Sequence, residues 1–551
     1  MWCQLSLGAT ALLSLSGCIR AEYTEPAGFD PQQALVERGI NFEGYLDDQQ
    51  QLLSNNNTCT SACSKLSSVF EGQITHQGSP EHELWTNQFW SQQQSAAKPS
   101  CIFQPKTSSD ISAVVLLSRW SKCPFAVKSG GHAAFAGASN LDGGITIDLS
   151  SMNAIELTPD QKIAKIGPGN IWYNVYSALE KLGLTVVGGR VADIGVGGLT
   201  LGGEITAVFR LVLLANSEAG GISFFSGAYG WGCDNVVNYE VVIASGEILN
   251  VNYTSYPDLY WALRGGGNNF GIVTRFDMET YPQGDLWAGS RTYDLKNHSQ
   301  ALINAFVNFG NNPDDLAATW VAFVHYQGDF LVSTSLVYHQ PIVDPPIFDE
   351  FKAIPSLADS TKVRSLSDVT VEINATAPKH MREMYWTHTF KLDAKLANFM
   401  VETFLEEIEP VKDTLGYLPA PVLQVMTKTA LSRMTKNGGN PLPVTVEEGP
   451  YMNLIFATMW MNEEDDEAII GTTARVMEKV VAKAKEWGVY NEYIYMNYAS
   501  QYQDVLRSYG EENYGRLVKV ATKYDPARVF QELQPGYFKF GRPPTKDVPG
   551  L

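Results

Sequence analysis

Basic residues are scarce. The 551-residue chain carries 40 Lys and Arg against 59 Asp and Glu, a formal charge of −19. Nucleic-acid binding needs clustered cations to displace phosphate counterions, so that class is excluded. No apolar run reaches membrane-spanning length, so a spanning helix is not expected. The chain has no Gly-Lys pair, and with it no GxxxxGK[ST] phosphate loop. No GxGxxG opens a βαβ unit with an acidic residue at the expected distance, so the usual dinucleotide fingerprint is missing too. The eight histidines include no i, i+3 or i+4 pair, and the CxxxC at Cys59 and Cys63 has no histidine pair beside it. No metal site is expected.

What is present is apolar and rich in glycine: 44 % hydrophobic residues, 47 Gly, 12 Trp, 25 Tyr and 25 Phe. The length exceeds one ordinary core and predicts two domains. Residues 1–21 read as a secretory signal peptide, apolar from Leu5 to Ser16 and cut near Ala21, although it lacks a basic start. Removing it removes Cys3 and Cys18. Cys59, Cys63, Cys101 and Cys123 then suit two disulfides, with three pairings open, and Cys233 is the odd one, read as a buried small hydrophobe. Sequons at Asn56, Asn252, Asn297 and Asn374 fit a secreted glycoprotein of the extracellular space or secretory lumen.

Residues 22–98 form an N-terminal segment with only short helical turns. From Pro99 to Pro282 short strands and helices alternate. Ser109-Asp110 caps the amphipathic run Ile111 to Trp120, CPFAVK, GGITIDLS and KIAKIG read as strands, and a helix between Ile171 and Leu182 stops at Gly183. NYEVVIASGEILNV is a hairpin turned at Ser245-Gly246, Asp258 to Leu263 a short helix, and GIVTRFDMETY a strand. Residues 283–490 read as a second α+β domain, with an antiparallel hairpin over Thr319–His339, a strand in PYMNLIFATMW and a long helix from Asp466 to Trp487 closed by Gly488. Residues 491–551 form a tyrosine-rich tail whose Pro-Gly end is expected to have little structure.

Four glycine clusters fall in 99–282: SGGH (Ser129–His132), GVGGLTLGG (Gly195–Gly203), GGISFFSGAYGWG (Gly220–Gly232) and RGGGNNFG (Arg264–Gly271). Glycine lets backbone amides approach a ligand and form anion-binding nests. One such cluster is ordinarily a tight turn. Four together, in a chain poor in cations, point to a phosphorylated cofactor cradled by backbone. His132, flanked by glycine in a turn, has no apolar face to fill, and could be a base, a ligand or a covalent attachment point.

The ordered motifs AVKSGGHAAFAG, IGPGNIW, GVGGLTLGG, DNVVNYEVVIASGEI, DLYWALRGGGNNFGIVTRF and NYGRLVKVATKYDPARVF resemble the berberine bridge enzyme-like FAD-linked oxidases of the vanillyl-alcohol oxidase superfamily. The resemblance implies an α+β fold: a split PCMH-type FAD-binding α/β domain (99–282 and the return from 491) plus a substrate domain whose antiparallel sheet is backed by helices. It implies a pyrophosphate loop over Lys128, Ser129, Gly130, Gly131, His132 and Ala133, with His132 bonded to the flavin 8α-methyl. Gly195, Gly197, Gly198 and Gly202 match the second cofactor loop, Asn268, Gly271, Ile272 and Val273 the strand beside the cofactor, and Asn513-Tyr514 a C-terminal flavin contact. Tyr495-Met496-Asn497-Tyr498 matches a YxNY-like stretch, which implies Tyr498 as the base, with Tyr495 as the alternate and interface packing as the ordinary role of both. The implied reaction takes a hydride from a small organic substrate to flavin N5, with O2 as acceptor and H2O2 as product, in a monomer without nucleic acid or membrane span. A dehydrogenase with another acceptor, or a disabled flavin-binding protein, are the competing readings.

Two departures stand out. Val191 occupies the position of the cysteine that gives many members a second flavin link, so only the His132 link is expected. The tract Glu204–Gly220 interrupts LGG–GISFFSG, and removing its 17 residues restores the motif without a seam. Its codons can encode a splice donor, a branch sequence and an acceptor, so it reads as a retained in-frame intron in the gene model, against a genuine insertion.

Overall fold

The structure, a computed structural model, describes residues 23–40, 58–202, 222–375 and 378–551. The expected signal segment, the Asn56 sequon and the tract 204–220 lie outside the described residues. Among those described, the strands make three sheets. The smallest orders Ile74–His76, Cys101–Phe103, Ile145–Asp148 and Phe125–Lys128, the last three parallel. Between its parallel strands the helix Ser108–Ser121 crosses over, burying Ile111, Val114, Val115 and Leu117. Its cap is Thr107 rather than Ser109-Asp110. The Thr107 hydroxyl accepts from the Asp110 amide at 3.2 Å and the Asp110 carboxylate accepts from the Thr107 amide at 3.3 Å, a capping box that sequence spacing alone had placed two residues late.

The N-terminal segment is part of this unit. Its helix Thr58–Val69 is tied to it by the disulfides Cys59–Cys123 and Cys63–Cys101, while Cys233 is a free, buried thiol. A second, six-stranded sheet is built around the long strand Ile272–Pro282, which pairs with Val236–Val242 on one side and with Ile163–Ile166 and Leu184–Val186 on the other. The hairpin from Val236–Val242 to Ile248–Asn252 turns at Gly246, which takes φ 76°.

The third sheet has nine strands, and all its pairings are antiparallel. At its centre lie Ala317–Tyr326, Leu418–Met426, Tyr451–Trp460 and Arg382–Lys391. Alternation along each strand splits its side chains between two cores. Val321, Phe323, Met384, Trp386, Leu454 and Phe456 pack under the helices Leu295–Asn311, Ala394–Ile408 and Asp466–Glu486. Trp320, Ala322, Tyr385, Ala420, Ile455 and Ala457 face the glycine-rich part of the chain. Burial on both faces is why Tyr451–Trp460 is apolar nearly throughout.

After this sheet the chain returns. Tyr493, Tyr495, Tyr498 and Tyr509 enter the first core, and the helix Glu511–Tyr524 packs Leu517, Val520 and Tyr524 against it. The last ten residues have no regular element, as expected, yet they are docked: the Gly550 carbonyl accepts from Arg475 at 3.1 Å. No helix among the described residues is long and apolar enough to cross a membrane.

Candidate active site

Two glycine loops from distant parts of the chain press together. A Cβ on Gly130 would stand 2.4 Å from the Gly195 amide nitrogen, and one on Gly195 would stand 2.2 Å from that of Gly130. Only glycine at both positions allows this approach. Ser129 locks it, donating to the Pro168 carbonyl at 2.6 Å and accepting from the Gly197 amide at 3.1 Å. Gly131 takes φ 72°. That turn leaves His132 3 % exposed, its ring centroid 4.8 Å from that of Trp90.

Beside the loops runs a cleft of about 880 Å³, its open mouth included. Of the residues expected at a cofactor, Ser129, Ala133, Gly197, Gly198, Asn268, Gly271, Ile272 and Val273 line it. Gly130, Gly131, His132 and Gly195 do not line it but build the loop that bounds it. Gly202 ends the helix Val196–Leu201 with φ 101° and lies by Gly265 and Met496. Lys128 departs from expectation: its ammonium is 3.3 Å from the Asp148 carboxylate, buried under Trp85 and Phe89, so its charge is spent inside the fold. Asn513 and Tyr514 depart as well. Asn513 donates to the Pro441 carbonyl at 2.9 Å, the Tyr514 hydroxyl accepts from the Gly541 amide at 3.3 Å, and neither residue lines the cleft. The C-terminal wall comes instead from Gln534, Tyr537 and Phe538.

The two tyrosines meet at the interface of the sheet and the glycine-rich part, with ring centroids 4.8 Å apart. The Tyr498 hydroxyl accepts from Arg190 Nη2 at 2.9 Å and from Gln424 Nε2 at 3.0 Å. Arg190 also donates to Gln424 Oε1 at 3.0 Å and lies 5.0 Å from the Trp320 ring centroid. Burial lowers the Arg190 pKa, and the neighbouring Tyr498 and Tyr495 phenols oppose that. The Tyr495 hydroxyl accepts from the Ile222 amide at 3.2 Å and from Asn497 at 2.8 Å. Burial, then the Tyr498 charge, raise the Tyr495 pKa well above the ordinary phenol value.

Residues 99–210 match the family model described as FAD binding domain, and residues 494–535 match Berberine and berberine like. The chain is 37 % identical over 511 residues to the FAD-dependent monooxygenase FUP4 of Fusarium proliferatum, covering 89 % of this chain and 96 % of that relative. Among solved structures, BBE-like 1 of Physcomitrella patens superposes with a TM-score of 0.69 at 17 % identity, over 87 % of this chain and 99 % of that one. The xylooligosaccharide oxidase of Myceliophthora thermophila C1 gives 0.69 at 18 %, over 88 % and 100 %. This chain belongs to the berberine bridge enzyme-like FAD-linked oxidoreductases.

The residues of this berberine bridge enzyme-like enzyme fit FAD. The cleft is mostly apolar, walled by Val127, Leu149, Phe276 and Phe538, and its lining includes Gly197, Gly198 and Gly271, where no side chain keeps a ligand from the backbone. Several residues of the site escaped the sequence reading, among them Arg190, Trp90 and Lys539. Arg190 is the only charge between Lys181 and Asp193, in an otherwise apolar, glycine-rich run, and that isolation was the available signal. Trp90 came from the segment with little periodicity. Lys539, in PGYFKF, is buried with its ammonium donating to Asn268 Oδ1 at 2.7 Å, and burial together with Arg542 pushes its pKa down to about 7.

Proposed function

We propose that this FAD-linked enzyme is an oxidase of a small organic substrate, with the cofactor bonded to His132 alone and Tyr498 as the base. Bound in the cleft, FAD would supply the two-electron acceptor for a hydride leaving a substrate carbon, with O2 as the final acceptor and H2O2 as product. The Ser129–His132 and Gly195–Gly198 backbone would hold its phosphates. The observation that carries the reading is the Arg190–Tyr498–Gln424 group. A guanidinium against a phenol oxygen stabilises negative charge there, and Gln424 fixes the oxygen's direction, so Tyr498 can take a proton from a substrate hydroxyl or activated C–H. Trp320 and the sheet exclude water and strengthen that effect. Val191 is buried in the core, with no sulfur to offer as a second link.

Two disulfides support an oxidising compartment, hence a secreted protein. Asn297 is the described sequon best placed for a glycan, since it is exposed at a helix start, while Asn252 and Asn374 spend side-chain groups on internal hydrogen bonds. The tract 204–220 is proposed to be absent from the working protein. Its flanks bind the same neighbours: Asn497 Nδ2 donates to Leu199 O at 3.3 Å and to the Tyr495 hydroxyl, which accepts from the Ile222 amide. Stopped-flow spectroscopy tests the oxidase reading. Flavin bleached by substrate under nitrogen should recolour on adding O2, with one H2O2 per turnover. Recolouring only with a quinone makes the enzyme a dehydrogenase.

A further inference from the structure

The mechanism above leaves Glu383 unused. It lies two residues before Tyr385 on the strand Arg382–Lys391, so both side chains leave the sheet face turned toward the glycine-rich part. Glu383 is 3 % exposed, and neither carboxyl oxygen has a hydrogen-bond partner among the described residues. The Tyr385 hydroxyl is also buried and unpartnered. Burial pushes the Glu383 carboxyl well above its ordinary value, which favours the protonated form, the one that can donate. Tyr385 lies within electrostatic reach of both Glu383 and Tyr498.

Trp90 closes this patch from the N-terminal segment. Its ring stacks on Tyr385 with centroids 6.1 Å apart at 22°, lies 4.8 Å from the His132 ring centroid, and leaves its indole N–H unpartnered among the described residues. Across from Tyr385 the adjacent strand presents Ala457 and the strand beyond it Ala420, so the sheet floor is low there. An unmet buried polar group destabilises a fold, and three on one patch next to a reactive site call for a functional explanation. The donor-only Trp90 N–H requires an acceptor. A hydroxyl both accepts from it and exchanges hydrogen bonds with Tyr385 and Glu383, whereas an ammonium has no acceptor to offer.

We propose that Glu383, Tyr385 and Trp90 form a substrate subsite that recognises a hydroxyl group on a planar ring. It rests on the reading of this region as the FAD enzyme's active site. The test titrates flavin-loaded protein with resorcinol and with its dimethyl ether, reading the flavin difference spectrum. Wild type should bind resorcinol at least ten-fold more tightly than the ether. E383L and Y385F should bring that ratio within about two-fold, while E383Q, which still donates and accepts, retains most of it. E383L should also raise the melting temperature, because it removes an unpartnered polar group. A wild type that does not discriminate, a ratio unchanged in Y385F and E383L, or tighter binding of benzylamine than of resorcinol overturns the proposal. Protein that carries no flavin strikes the FAD reading instead, so the two failures are distinct.

Discussion

Gly130 and Gly195 meet backbone to backbone, with no room for a methyl group on either. The contact joins two loops far apart in sequence into one cradle, so each loop depends on the other for its shape. G130A and G195A should both purify with little or no flavin, read as the ratio of flavin to protein absorbance. G515A is the control. A Cβ there meets nothing within 4 Å and the residue sits inside a helix, so this variant should keep its flavin and gain about 0.5–1 kcal/mol in denaturant unfolding.

The proton-transfer assignment predicts an asymmetry between two adjacent tyrosines. Y498F should slow anaerobic flavin reduction by about 10²–10⁴-fold, the usual worth of a positioned base. Y495F, whose hydroxyl serves the Ile222 amide and Asn497, should slow it less than about ten-fold on the same scale. R190M should resemble Y498F in rate and move the alkaline pH dependence of reduction upward, because the charge that stabilises the phenolate is gone. Equal losses in Y498F and Y495F would assign both to packing.

Two buried histidines predict acid sensitivity. Burial lowers His339 to about 4 and His388 to about 3, against about 6.5 in an unfolded chain. The unfolded chain therefore binds more protons between these values, so stability is full above pH 6.5 and falls as the pH drops toward 4. Each histidine contributes up to about 1.4 kcal/mol per pH unit in that window. Unfolding by urea at pH 7 and pH 5 should show the loss, and H388F, which removes an imidazole with no partner on Nδ1, should reduce it.

The tract 204–220 is tested on the transcript and on the protein. Reads should join the codons of Gly203 and Gly221, and protein made without the tract should take up flavin at least as well as the full chain. Transcripts that all retain the tract would make it a genuine part of the protein.

Much of this site could be read in the sequence because its signals are local. Glycines crowd where backbone must approach a ligand, and alternation marks strands such as Ile272–Pro282. The hairpin Thr319–His339 and the helix from Asp466 appear where their periodicities put them. What stayed hidden is nonlocal. Arg190 acquires meaning only when Gln424 and Tyr498 reach it from the nine-stranded sheet and the C-terminal return. Trp90 acquires it only when the N-terminal segment is folded between His132 and Tyr385. A motif match gives the position of Asn513 and Tyr514 along the chain but not the direction a helical side chain faces, and neither residue lines the cleft.

The proposed bond between His132 and a flavin held in the cradle of two glycine loops is read directly by acid precipitation followed by mass spectrometry of the peptide that begins at Ser129. A yellow pellet, a flavin mass on that peptide at His132, and a colourless pellet from H132A are expected. Flavin released into the acid supernatant of the wild type, or found on a peptide without His132, would contradict it.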